Sequence, residues 1–271
     1  MGTSASSSGP GSGVPLVPPW VPEAGTSDPV ANQDQLAPGS LAPGPLAPRA
    51  RFGTARRGLG DYARSGDRSS MRRGIASYAS KGLGGSRSAA RRMGGAANRS
   101  GVLFDTLGRL SAGTLDPARL GFDAAGLAGR SAREIIDRIS RFVSPSDGTQ
   151  DAESSQRAIN AALSDLLAND PNVDVSSLTE QQIEWVLERH IVYEIVQRID
   201  LDVGKSILEN APSPASASDR MREIREYVEE VVSAAFRAQR QTGRPANGSV
   251  ATTLTSRVIQ ETFTVFEEYV E

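Results

Sequence analysis

Beyond residue 100 the apolar positions recur every three or four residues, whereas the first fifty residues show no periodicity. That spacing places the apolar groups on one stripe of an α-helix. Ser131 and Glu134 form a predicted capping box opening a helix with Ile135, Ile139 and Phe142 on one side, and Pro145 follows its end. The next helix carries Ile159, Ala162, Leu163, Leu166 and Leu167 and stops at Asp170-Pro171. Thr179 with Gln182 caps a longer one holding Ile183, Val186, Leu187, Ile191, Ile195 and Ile199. Asp219 opens another through Met221, Ile224, Val228, Val231 and Ala235, and a last helix over about 250–270 contains Leu254, Val258, Val265, Phe266 and Tyr269. No stretch alternates as a strand does. The pattern predicts a mainly α fold, with a bundle of five or more helices over 101–271.

Residues 51–100 read as short helices rich in Arg, Gly and Ala. Asp67 is placed to cap a helix through Met71, Ile75 and Tyr78, and Leu59 with Tyr62 gives a similar face just before it. Gly82, Gly84 and Gly85 stop that helix, and Gly94-Gly95 interrupts the next. Each interior glycine costs roughly 1 kcal/mol of helix stability, so these pieces need a partner surface or each other. Residues 1–50 hold ten of the sixteen prolines, with seven Gly and seven Ser. Such a segment buries too little apolar surface to offset its ordering entropy and reads as a disordered tail. Within it, Val14-Pro15-Leu16-Val17-Pro18-Pro19-Trp20-Val21-Pro22 is a polyproline-like apolar string. Leu36-Ala37-Pro38-Gly39, Leu41-Ala42-Pro43-Gly44 and Leu46-Ala47-Pro48 form a five-residue repeat that reads as a spacer.

The net charge of −2 conceals an asymmetry: residues 51–100 carry twelve basic groups against Asp61 and Asp67, while the chain beyond is strongly acidic. The arginines come partly as pairs, Arg56-Arg57, Arg72-Arg73 and Arg91-Arg92. They are candidates for contact with nucleic-acid phosphates or with an acidic partner, the chain's own body included. Phe52, Tyr62 and Tyr78 are too sparse to support base stacking. The chain has no cysteine, which removes disulfides, thiolate nucleophiles and Cys metal sites. His190, the single histidine, lies mid-helix beside Ile191 and reads as structural. No nucleophile elbow, P-loop or calcium-loop spacing occurs. The expectation is therefore a protein that is not an enzyme and that uses no cofactor or metal. With neither a secretory signal nor an apolar run of membrane-spanning length, it is expected to be soluble and cytoplasmic.

The amino terminus carries the most informative chemistry. Removal of Met1 before the small Gly2 leaves a glycine α-amine, with an ordinary pKa of ~8, and glycine's missing side chain lets the backbone enter a narrow active site. Met1-Gly2-Thr3-Ser4-Ala5-Ser6 also fits the myristoylation pattern loosely, but no polybasic second signal follows directly.

Met1-Gly2-Thr3-Ser4, Gly9-Pro10-Gly11-Ser12-Gly13 and Val14 to Trp20 resemble the start of QatB proteins, from the four-gene Qat anti-phage defence system of bacteria. The resemblance continues through Arg51-Phe52-Gly53-Thr54-Ala55-Arg56, Ser65-Gly66-Asp67-Arg68, Arg72-Arg73-Gly74 and Ala89-Ala90-Arg91-Arg92-Met93-Gly94-Gly95. It covers the first hundred residues apart from the spacer, and the remaining body matches only in helical character. The resemblance implies an accessory protein acting beside an ATPase, a QueC-like (QatC-type) enzyme and a TatD-like nuclease. QueC relatives activate a carboxylated deazaguanine with ATP and couple it to an amine. The expectation is that the QueC-like partner binds Gly2, Thr3, Ser4, Pro15, Leu16, Pro18, Pro19 and Trp20, with Trp20 as the anchor, and modifies Gly2. The competing expectations are an unmodified scaffold and a nucleic-acid sensor using the six paired arginines.

Overall fold

Asp67 caps its helix as the sequence predicts: its carboxylate accepts the backbone N–H groups of Ser69 (3.0 Å) and Ser70 (3.1 Å). The structure is a computed structural model describing Pro15, Val17 and residues 50–122, 126–127, 129–146, 148–241 and 243–269. Its helices are α1 (Gly53–Ser65), α2 (Arg68–Ser77), α3 (Ser86–Arg92), α4 (Gly94–Ser111), α5 (Ala132–Val143), α6 (Gln150–Asn169), α7 (Glu180–Ile199), α8 (Lys205–Asn210), α9 (Pro214–Arg240) and α10 (Gly248–Glu267). One π-helical turn at Tyr78–Gly82 prolongs α2, and a second at Asp200–Gly204 joins α7 to α8. The described residues contain no strand.

Several ends differ from the sequence reading. Gly94 and Gly95 do not interrupt a helix but open α4, after a break at Met93. Ser131 caps α5, but Glu134 pairs with Arg130 (3.3 Å), so only half of the capping box is present. The box at Thr179 and Gln182 is complete. α9 starts at Pro214, not Asp219, because the Ser213 hydroxyl accepts the N–H of Ser216 (3.1 Å) and proline suits the first helical position.

Gly58, Gly74, Gly101 and Gly248 sit where two helices touch. A Cβ on Gly74 would lie 3.0 Å from the backbone nitrogen of Leu59, and one on Gly58 would lie 3.0 Å from the Cα of Gly74, so α1 and α2 meet backbone to backbone. A Cβ on Gly101 would lie 2.5 Å from the Gly248 carbonyl oxygen, and one on Gly248 would lie 2.6 Å from that of Gly101. Gly248 also donates its N–H to Asp105 (2.7 Å), tying the start of α10 to α4. The entropic cost of glycine is thus exchanged for close packing. A single buried apolar cluster includes Leu59 and Tyr62 of α1, Leu103 of α4, Ile191 of α7, and Phe263 and Phe266 of α10.

Candidate functional site

The first turn of α1, the end of α3, the end of α7 and the Asp200–Gly204 turn converge on a group of arginines. Phe52 positions one side of it: its ring stacks on Tyr78 at 5.7 Å and is itself buried. The Arg51 guanidinium lies 4.7 Å from the centre of the Phe52 ring and is only 6% exposed. Its Nε and Nη1 are buried and have no hydrogen-bond partner among the described residues. Arg56 approaches from the next turn of α1 and donates from Nε (3.2 Å) and Nη2 (2.9 Å) to the backbone carbonyl of Asp202. Ser206 in turn donates to the Arg56 carbonyl (2.7 Å), fixing α8 to α1.

The Asp202 carboxylate accepts from the Tyr78 hydroxyl at 2.9 Å and lies 3.6 Å from Arg198 Nε. Arg198 also reaches outward to Asp151 at 2.9 Å. Burial, the Asp202 charge and the hydrogen bond push the Tyr78 hydroxyl up, so it stays a neutral donor. Burial and then the charges of Arg51 and Arg198 pull the Arg92 guanidinium down to about 10. Arg51 is also lowered, first by burial, with Asp202 opposing and Arg198 adding to the effect. Arg198 is held above its ordinary value because Asp202, Tyr78 and Asp151 outweigh its burial. Asp202 is the carboxylate whose charge reaches all three of these arginines.

This arrangement divides the arginine pairs read from the sequence. Consecutive residues on a helix point about 100° apart, so Arg56 is half-buried while Arg57 is exposed, and Arg92 is half-buried while Arg91 is exposed. Arg72 and Arg73 are both exposed. Arg72 lies over the ring of Tyr269 at 5.2 Å and that of Tyr227 at 6.0 Å, and Arg73 donates to Ser70 at 3.0 Å. With Ser69, Glu268 and Tyr269 these two arginines line a pocket of about 260 Å³. Arg51 and Arg198 did not stand out as site residues in the sequence. Only the fold brings them together, and no local motif marks them.

Of the predicted tail contacts, Pro15 is half-buried, as is its neighbour Val17. Gly2, Thr3, Ser4, Leu16, Pro18, Pro19 and Trp20 lie outside the described residues.

His190 occupies a second polar site between α4 and α7. Its Nδ1 is 3.0 Å from Ser100 Oγ and its Nε2 is 3.2 Å from Glu194 Oε1, an order of groups that matches a hydrolase triad. Ser100 and His190 are both 0% exposed, and Ser100 is also bonded to the Ala96 carbonyl at 3.1 Å. A substrate cannot reach that hydroxyl, so the trio works as a buried bracket between two helices. Burial alone would raise the Glu194 carboxyl, but His190, Ser155 and Arg99 hold it below its ordinary value.

Among the described residues no group of three or more His, Cys, Asp or Glu side chains could hold a metal ion. No described helix is long and apolar enough to cross a membrane. No curated protein and no solved structure matches the chain. The family described as Qat anti-phage system associated protein QatB matches residues 84–266. That match lies over the helical body, which the motifs of the first hundred residues had matched only in helical character. The two likenesses overlap at Ala89 to Gly95, on α3 and the start of α4, so together they span both ends of the fold, and the chain belongs to the QatB family of anti-phage defence proteins.

Proposed function

We propose that this QatB-family protein is a non-catalytic accessory component that binds a QueC-like partner enzyme through residues 2–20 and serves as its protein substrate. The partner activates the carboxylate of a deazaguanine with ATP, releasing pyrophosphate. The Gly2 amine, deprotonated and exposed once Met1 is removed, then attacks the acyl-adenylate. An amide bond forms, and AMP and a proton leave. The observation that carries this reading is the pairing of a QatB-family body with a tail that starts on glycine and carries the Val14–Trp20 string. Glycine offers the least hindered α-amine, and the apolar string offers a docking motif with Trp20 as its anchor. Such a protein works in the cytoplasm beside the ATPase and the TatD-like nuclease of the same system.

Replacing Gly2 with valine tests the reading in cells carrying the whole operon. Defence should be lost while the level of the protein and its helical content are unchanged. A Gly2→Val strain that still resists phage would overturn conjugation and leave the unmodified scaffold. Charge reversal at Arg72 and Arg73 separates the nucleic-acid reading. That change should spare defence under conjugation.

A further inference from the structure

The pocket between the start of α2 and the end of α10 holds polar groups that the fold leaves unused. Ser69, Arg72 and Arg73 line it from α2, and Glu268 and Tyr269, just past α10, close it around about 260 Å³. Arg72 is held by rings. Its guanidinium lies 5.2 Å from the centre of the Tyr269 ring and 6.0 Å from that of Tyr227, which packs on Phe266 at 5.6 Å. It makes no hydrogen bond or ion pair among the described residues, so its donors are positioned but not spent. The Glu268 carboxylate likewise makes none among the described residues, although it lines the same pocket. Arg73, by contrast, is occupied: it donates to Ser70 at 3.0 Å and lies 3.9 Å from Asp67. Two groups of opposite sign that line one pocket without pairing suit a ligand that brings an acceptor and donors together, over a plain anion or cation.

We propose that Arg72, Glu268 and Tyr269 form a binding site for a guanine-type base. The Watson–Crick edge of guanine carries two adjacent N–H donors beside a carbonyl oxygen. Glu268 accepts from both donors and Arg72 donates to the oxygen, each a charge-assisted bond. Adenine places a ring-nitrogen acceptor where guanine has one of those donors, and a carboxylate rejects it. Bases stack on aromatic rings and on guanidinium planes, and the lining offers both in Tyr269 and Arg72. Stacking also decides against a small zwitterion such as a free amino acid. The lining side chains are exposed, where ion pairs contribute little and a stacked base keeps its attraction. The volume lies just below the ~300–1,000 Å³ of drug-sized ligand pockets, so one ring system fits and a longer ligand does not. Guanine and 7-deazaguanine share the edge that is read, and the site does not depend on conjugation at Gly2.

Equilibrium dialysis of the full chain against guanosine, 7-deazaguanosine and adenosine tests this. Guanosine should be retained, and adenosine should bind roughly 5–150-fold more weakly, the discrimination of one good bidentate pair. Glu268→Gln should weaken guanosine by a similar factor and remove the preference over adenosine. Tyr269→Leu should weaken every base roughly 5–150-fold through the lost stack. Both side chains are exposed, so the variants should fold as the native chain does, which circular dichroism checks. Equal binding of 7-deazaguanosine and guanosine would show that the shared edge alone is read, and that the base proposed for Gly2 fits the site. Guanosine binding about tenfold tighter would show that Arg72 also reaches N7, and would identify a guanine nucleoside as the source. Failure to retain guanosine would overturn the proposal, as would equal binding of guanosine and adenosine or an undiminished affinity in Glu268→Gln. Displacement of guanosine by excess glycine would overturn it too, since the pocket would then take a zwitterion. The measurement needs neither a partner enzyme nor a modified Gly2, so its outcome is read separately from that of conjugation.

Discussion

Glu194 shows how the buried polar residues of this fold are held. Its carboxylate sits inside the bundle against His190, and the net effect of burial, hydrogen bonding and charge is a value below the ordinary 4.5. A carboxyl depressed on folding contributes stability that is fully present above its unfolded value and is lost as the pH falls through the folded value. Chemical denaturation between pH 7 and pH 3 should therefore show stability falling below about pH 4.5, with Glu194 contributing up to about 1.4 kcal/mol per pH unit. In Glu194→Gln that acid limb should be shallower, and curves that differ only by a constant offset would contradict the assignment. His190 was legible in the sequence as structural, but its partners were not. Ser100 is 90 residues away and belongs to another helix.

At the scale of helices, periodicity and capping residues carried most of the fold. α6 and α7 appear where Leu163, Leu166, Ile183 and Ile191 placed them, and the Thr179 box is formed as read. Two kinds of feature were hidden. The Asp200–Gly204 turn depends on bonds from Arg56 and Tyr78, more than 120 residues away, which no local pattern encodes. The close contacts of Gly58, Gly74, Gly101 and Gly248 were also hidden, because the second helix at each contact is invisible in one dimension. Gly101 and Gly248 show the consequence. Replacing Gly101 with alanine pushes a methyl group into the Gly248 carbonyl, and the α4–α10 contact must open. The substitution should destabilise the protein by roughly 1–3 kcal/mol by the usual cost of overpacking. Alanine at Gly108, also in α4 but with nothing near its Cβ, should be neutral or stabilising. Equal effects at the two positions, measured by urea denaturation, would contradict the close crossing.

For the whole molecule, the arginines of residues 51–100 divide between two settings. Arg56 and Arg92 turn toward Asp202, joined by Arg51 and Arg198, while Arg57, Arg72, Arg73 and Arg91 stay at the surface. The sequence showed a basic block and could not show this division, because helix rotation and tertiary packing set it. The family likeness was legible in the first hundred residues through Gly2, the Val14–Trp20 string and the Arg-Gly motifs, and the family match places the helical body in the same group. The central claim is that the tail of this body is a substrate. Intact-mass measurement of the chain purified from cells expressing the whole operon, followed by sequencing of its amino-terminal peptide, addresses it directly. The account predicts a peptide that begins at Gly2 and carries the added mass of an amide-linked deazaguanine on its α-amine, absent when the QueC-like enzyme is inactivated. An unshifted Gly2 peptide from cells mounting full defence would contradict it.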